Sequence, residues 1–214
     1  MDERSKHKRG AEEIAVPRPT YRNELLDQTS KKLRLHGSLD GVNIFRCEGV
    51  DGMLSGVIFG ADGMLMTAGH VAENHKAELP NFDIYPENFR EIDIAVRKNP
   101  AIKGPHLGYV DSSTLEGCLC IVSQATDPGV LIMVHGTMMP FYEPTLLSQF
   151  VPDNVTDTSL FGSGTSGSPI LYKGNIIGFI KGSSTKTVTS VCFKLPELRE
   201  TLRETLGLSF KKLD

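Results

Sequence analysis

The run "FGSGTSGSPI" (161–170) crowds glycine, serine and threonine around Ser166 and leads into the apolar stretch "LYKGNIIGFIKG" (171–182). A glycine-rich turn would account for the small residues. A second reading gives them a task. Glycines such as Gly164 and Gly167 tolerate positive φ and let a substrate approach the backbone. A serine on so tight a turn can present its hydroxyl while neighbouring N–H groups face a developing oxyanion. The rest of the chain decides between the two.

Outward from this turn, short apolar runs alternate with glycine, asparagine, aspartate and proline. They are "VNIFRCE", "LSGVIFG", "MLMTAGHV", "FDIYPE", "DIAVRK", "CLCIVSQ", "VLIMVHGTMM", "TSLFG", "PILYKG", "NIIGFIKG" and "TVTSVCFK". Their length and spacing predict an antiparallel all-β fold rather than βαβ units. Turn signals such as "VDG", "ADG", "DPG" and "KGN" lie between them, as hairpins need. The stretch 98–117 has the fewest strand features and is read as the connection between two strand-rich halves, 33–112 and 113–195. Residues 1–32 are charged and proline-bearing, and read as a tail that ends in a short helix around "NELLDQTSKKL". Segment 196–214 differs from the rest. Leu195, Leu198, Leu202 and Leu206 recur at three- and four-residue steps, with Pro196 in the first turn and Gly207 past the end. That pattern predicts one amphipathic helix packed against the strands.

With 214 residues, 39% of them hydrophobic, the chain can bury a core as one domain or two small ones. A net charge of −3 gives no global field for nucleic acid or an anionic membrane. No apolar run has the length of a membrane span, and "MDERSKHKRGAEE" is the opposite of a secretory signal. The four cysteines (Cys47, Cys118, Cys120 and Cys192) form no CxxC pair and no metal-binding spacing. No disulfide, metal or organic cofactor is therefore expected, and the setting is taken as reducing, the cytoplasm of a cell.

Two further residues complement Ser166. His70 ends the apolar run of "MLMTAGHV", where a strand end can offer a general base to a serine from another lobe. Asp93 interrupts the start of "DIAVRK". A carboxylate there needs a hydrogen-bonding partner, and a histidine N–H fits, because the acid then fixes the tautomer and stabilises the imidazolium. Asp83 in "FDIYPE" is the rival acid. The other histidines have no comparable setting. The chain order His, Asp, Ser is that of the chymotrypsin arrangement.

"TAGH", "DIAV" and "GTSGSPI" resemble the three motifs of chymotrypsin-like serine proteases, over residues 33–195. The resemblance implies two six-stranded antiparallel β-barrels, His70 as base, Asp93 as its orienter and Ser166 as nucleophile. It also implies an oxyanion hole at Gly164, Thr165 and Ser166, its N–H groups supplied by Gly164 and Ser166. Animal digestive members carry an aspartate before the nucleophile; Thr165 stands there. The compact, cysteine-poor form is similar to the processing proteases of positive-strand RNA viruses, with "TAGHV" and "DIA" resembling astrovirus and sobemovirus-like sequences and "GTSGSPI" that of flaviviruses. A cellular HtrA-like protease is the main enzyme alternative, and a catalytically silent interaction module is the alternative from another class.

By the same resemblance Leu160, Phe161 and Ile180 line the P1 pocket, and the backbone of Lys181, Gly182 and Ser183 pairs with a polypeptide substrate as an added strand. Neither the histidine of picornavirus-type enzymes nor the aspartate of the flavivirus enzyme is present, so an apolar or aromatic P1 is expected. Basic clusters at 6–9, 31–32 and 211–212 raise RNA binding as a side role, although solvated charge accounts for each.

Overall fold

The computed structural model describes residues 11–15, 33–47, 56–76, 79, 81–85, 92–123, 130–141, 145–153, 159–184 and 186–214. Apart from two helices, its regular elements are strands. The first, β1 (Ala11–Ala15), is taken up with the second barrel below. The first barrel comprises β2 (Leu33–Leu39), β3 (Val42–Cys47), β4 (Val57–Ala61), β5 (Met64–Ala68), β6 (Asp83–Tyr85) and β7 (Ile94–Lys98). Their order is β2-β3-β4-β5-β7-β6, every pairing antiparallel. β4 and β5 are buried along their whole length, as strands covered on both faces must be. Asp40 and Gly41 join β2 to β3 with φ of 51° and 78°, the positive pair that a two-residue hairpin turn requires. The short helix α1 (Gly69–Asn74) follows β5 directly.

After β7 come β8 (Leu107–Tyr109), β9 (Leu115–Ser123), β10 (Val130–Pro140), β11 (Ser148–Pro152), β12 (Pro169–Tyr172), β13 (Asn175–Ser183) and β14 (Val188–Cys192). Six of these close a ring: β9 pairs β10, β10 pairs β11, β11 pairs β14, β14 pairs β13, β13 pairs β12, and β12 returns to β9. The alternating burial of β10 and β11 is the signature of a barrel wall with one face inward. The two six-stranded barrels and the helix α2 (Pro196–Leu206) agree with the expected architecture. Gly207 ends α2 in the left-handed conformation (φ 66°) and returns its N–H to Arg203 O. Leu198, Leu202, Leu206 and Leu208 then join a core cluster containing residues of both barrels. Phe59 of β4 and Phe179 of β13 tie the barrels across 6.4 Å between ring centroids.

Several local expectations are corrected. Within the 1–32 tail, β1 pairs antiparallel with β10, Ala11 opposite Val134 and Ala15 opposite Val130; the helix expected from residue 23 lies almost wholly outside the described residues. The 98–117 connection contains β8, which pairs in parallel with β13 and with a last strand, β15 (Phe210–Lys212). Residues 107–109 therefore belong to the second sheet, so a first half running to 112 is too long. In "TSLFG", residues 159–161 form a single 3₁₀ turn instead of a strand. Short apolar runs do not distinguish these cases, since the pairing partner decides and it lies far along the chain. The "VDG" and "DPG" signals also fall outside the described residues.

Cys118, Cys120 and Cys192 are free and buried, and burial pushes the Cys118 thiol up to about 12. They are packing residues. No helix among the described residues is long and apolar enough to cross a membrane.

Candidate active site

The junction of β5 and α1 fixes His70. α1 begins at Gly69, and its capping residue, Ala68, offers no side-chain acceptor for the open N–H groups of the first turn. Asp93, just before β7, takes that role from the neighbouring strand. Its backbone carbonyl accepts from Gly69 N–H at 2.9 Å and its Oδ1 from His70 N–H at 2.7 Å. A Cβ on residue 69 would stand 2.6 Å from Asp93 Oδ1, which is why glycine precedes the histidine. The second carboxylate oxygen, Oδ2, bonds the imidazole at Nδ1. The acid therefore caps the helix and orients the ring together, leaving Nε2 as the nitrogen not engaged by the acid.

The His70 side chain is 41% exposed and that of Asp93 17%. Burial by itself would raise the Asp93 carboxyl, but the hydrogen bonds and charge of His70, with the nearby charge of Lys181, outweigh it and hold it below its ordinary range. Asp83 lies exposed on β6 and is not the partner.

The nucleophile turn is built from residues 162–168. Gly164 and Gly167 both have φ of 90°, a conformation that side-chain-bearing residues rarely adopt. A Cβ at Gly167 would overlap the carbonyl of Val57. Ser168 holds the turn from below: its N–H and Oγ both donate to Thr165 O, at 3.1 and 2.7 Å. Gly167 N–H donates to Ile180 O and Ile180 N–H to Ser168 O, fixing the turn to β13. The carbonyl of Ser166 accepts from Val57 N–H at 2.7 Å, which presses the turn onto the first barrel. Gly56 marks the meeting point. A Cβ there would collide with the Val71 side chain and stand 2.9 Å from Ser166 O, so α1 and the serine turn converge on one spot.

Among the described residues, the N–H groups of Gly164 and Ser166 donate to no protein acceptor. Thr165 N–H instead bonds Gly162 O at 3.3 Å, and its hydroxyl reaches the same carbonyl at 2.8 Å. Of the three residues expected at the oxyanion hole, Thr165 is thus spent on shaping the loop, and the N–H groups of the other two are left without a protein acceptor among the described residues.

The expected substrate pocket is arranged differently from the side-chain reading. Phe161 is fully buried, its ring tilted against Phe150 at 5.8 Å, and Ile180 is fully buried as well. Both belong to the second-barrel core, so they would meet a substrate through backbone. Leu160 is half-buried against that core. Lys181 sits where the β13–β14 register slips between Ile180 and Gly182. Ser183 Oγ donates to Phe161 O, joining the end of β13 to the turn at 159–161.

Sequence reading missed Arg46 of β3, which is 3% exposed. The alternation Val42, Ile44, Arg46 was the available signal, because a period of two puts Arg46 on the inward, buried row. Its Nη1 donates to Gly164 O at 2.6 Å and to Gly56 O at 3.1 Å, and its Nε to Ser123 Oγ at 3.2 Å. Of the basic clusters raised for RNA, only 211–212 is described, and Lys212 there pairs with Asp111 at 2.6 Å.

A histidine–carboxylate pair beside a serine on a glycine turn, between two six-stranded antiparallel barrels, defines the chymotrypsin-like fold, and solved structures agree. Kallikrein-related peptidase 10 superposes with a TM-score of 0.58 at 13% identity, over 80% of this chain and 98% of its own. The tobacco vein mottling virus protease gives 0.51 at 16% identity, over 84% and 89%. An inactivated protease paralogue of the scabies mite, S-D1, gives 0.52 at 10% identity, over 72% and 90%. The fold is therefore shared with proteases and with an inactivated relative. No protein-family model matches the sequence, and no curated protein matches it.

Proposed function

We propose that the chain is a serine endopeptidase whose nucleophile is Ser166, with His70 as general base and Asp93 as its orienter. The observation that carries the reading is the Asp93 carboxylate bonded to His70 Nδ1 while the serine turn leaves two N–H groups without a protein acceptor. Ser166 Oγ attacks the scissile carbonyl as His70 Nε2 takes its proton, and the carbonyl oxygen becomes an oxyanion received by the N–H groups of Gly164 and Ser166. The imidazolium then gives its proton to the leaving amine, and water hydrolyses the acyl-enzyme by the reverse roles.

The substrate would add as a strand along Lys181–Ser183. An apolar P1 is the preference we infer, supported by the half-buried Leu160 beside the turn. Processing of a viral polyprotein is the role we infer, supported by the motif resemblance and by the likeness to a plant-virus protease. The cytoplasm of the host cell is the setting such a role implies.

The test is incubation of the wild type and a Ser166→Ala variant with a proteome-derived peptide library, read by mass spectrometry, alongside labelling with a fluorophosphonate. Wild-type-only cleavage with one label per chain on Ser166 is expected. No cleavage and no label at Ser166 would overturn the reading in favour of a silent module. Strict cleavage after Arg or Glu would overturn the apolar P1.

A further inference from the structure

A buried guanidinium is costly unless its donors are used, and two of the three hydrogen bonds that Arg46 makes converge on the serine turn and its seat. We propose that Arg46 is the positioning residue of the oxyanion hole: through Gly164 O it fixes the backbone that aims the Gly164 N–H. The inference rests on the protease reading above and adds to it a residue from the first barrel.

The Gly164 carbonyl belongs to the plane shared with Thr165, whose N–H points the other way, to Gly162 O. Arg46 holds one end of that plane at 2.6 Å, and Gly162 the other. The next plane carries the Ser166 N–H, and its carbonyl, Thr165 O, is held by Ser168 twice. The plane bearing the Gly164 N–H has no such clamp and is set only through the torsions of Gly164. A glycine populates positive and negative φ about equally, so keeping its φ of 90° takes a contact that pins the adjoining carbonyl plane. Arg46 does so, while its bonds to Gly56 O and Ser123 Oγ anchor the guanidinium on both barrels. Its Nη2 is buried with no partner among the described residues, so the arginine leaves both N–H groups of that nitrogen unused to occupy this position. An arginine selected for stability alone has no reason to accept that loss, since an apolar side chain of similar volume is often as stable or more so.

Two variants separate the roles. Arg46→Met fills the volume without a donor. Arg46→Gln places its amide nitrogen at the level of the arginine Nε, within reach of Ser123 Oγ and too short for Gly164 O. For both, we expect kcat on a cleaved peptide to fall about 10²-fold or more, the loss of one oxyanion donor, with KM within about threefold of wild type. Fluorophosphonate labelling of Ser166 should slow in parallel, while the low-field proton resonance of the His70–Asp93 hydrogen bond persists. If Arg46→Met does not fold, Arg46→Gln decides. A folded variant with kcat within about threefold of wild type overturns the inference. Loss of the His70–Asp93 resonance along with activity also overturns it, since the role would then be general support. A wild type that neither cleaves nor labels would instead overturn the protease reading itself.

Discussion

The two halves of the site are held by opposite strategies. In the first barrel, Asp93 holds His70 through its backbone carbonyl and both carboxylate oxygens, from the start of the strand beside the helix of the histidine. In the second, the serine turn takes its shape from its own glycines and Ser168, but its seat comes from the first barrel through Val57 N–H and Arg46. The acid–base half is self-contained and the nucleophile half is not. The difference follows from chemistry. An imidazole needs one acceptor in one direction, whereas an oxyanion hole needs several backbone planes aligned, and glycine supplies no rigidity of its own.

The largest effect tests the nucleophile half directly: Ser166→Ala should lower kcat by about 10⁶-fold and abolish labelling, with the unfolding midpoint nearly unchanged. Next, Asp93→Asn should cost about 10⁴-fold in kcat, because an amide donates where the carboxylate accepted and so leaves the ring in the wrong tautomer. A drop below tenfold would mean that the first half is not self-contained. Gly167→Ala should cost about 3 kcal/mol or more of stability in urea unfolding, from the strain of φ 90° and the overlap with Val57 O. An unchanged midpoint would show that the turn can lift off the first barrel. A smaller effect is expected of Thr165→Val, about 1 kcal/mol with a modest fall in kcat, from the lost bond to Gly162 O.

Acid pH sharpens the same contrast. The folded state holds the Asp93 carboxyl below its unfolded value, so its contribution is present above the ordinary carboxylate range and disappears as pH falls through the lowered folded value. Asp93→Asn should therefore flatten the acid limb of stability measured by urea titration across pH. Ser166→Ala should leave that limb as in the wild type.

Much of this was legible beforehand, and the reasons differ by residue. The helix α2 was readable because its leucine spacing, Pro196 and Gly207 are local signals that need no partner. His70 and Asp93 stood out as candidates because each breaks an apolar run, and Ser166 because it sits among glycines and hydroxyls directly before one. β1 and β8 were not, because three to five residues pair with strands far along the chain and carry little pattern of their own. The pocket residues were half-legible. Position nominated Phe161 and Ile180, and only the packed barrel decided that both side chains turn into its core.

The sequence by itself determined the all-β class and the closing helix, and singled out His70, Asp93 and Ser166 as candidates, since periodicity and residue chemistry are properties of short stretches. Tertiary structure decided which partner each of them meets. Arg46 shows why. Its place on an apolar row marks it as unusual, but its partner Gly164 lies in the other barrel, and only closure of the two barrels onto one another brings a guanidinium of β3 to the carbonyl beside the nucleophile.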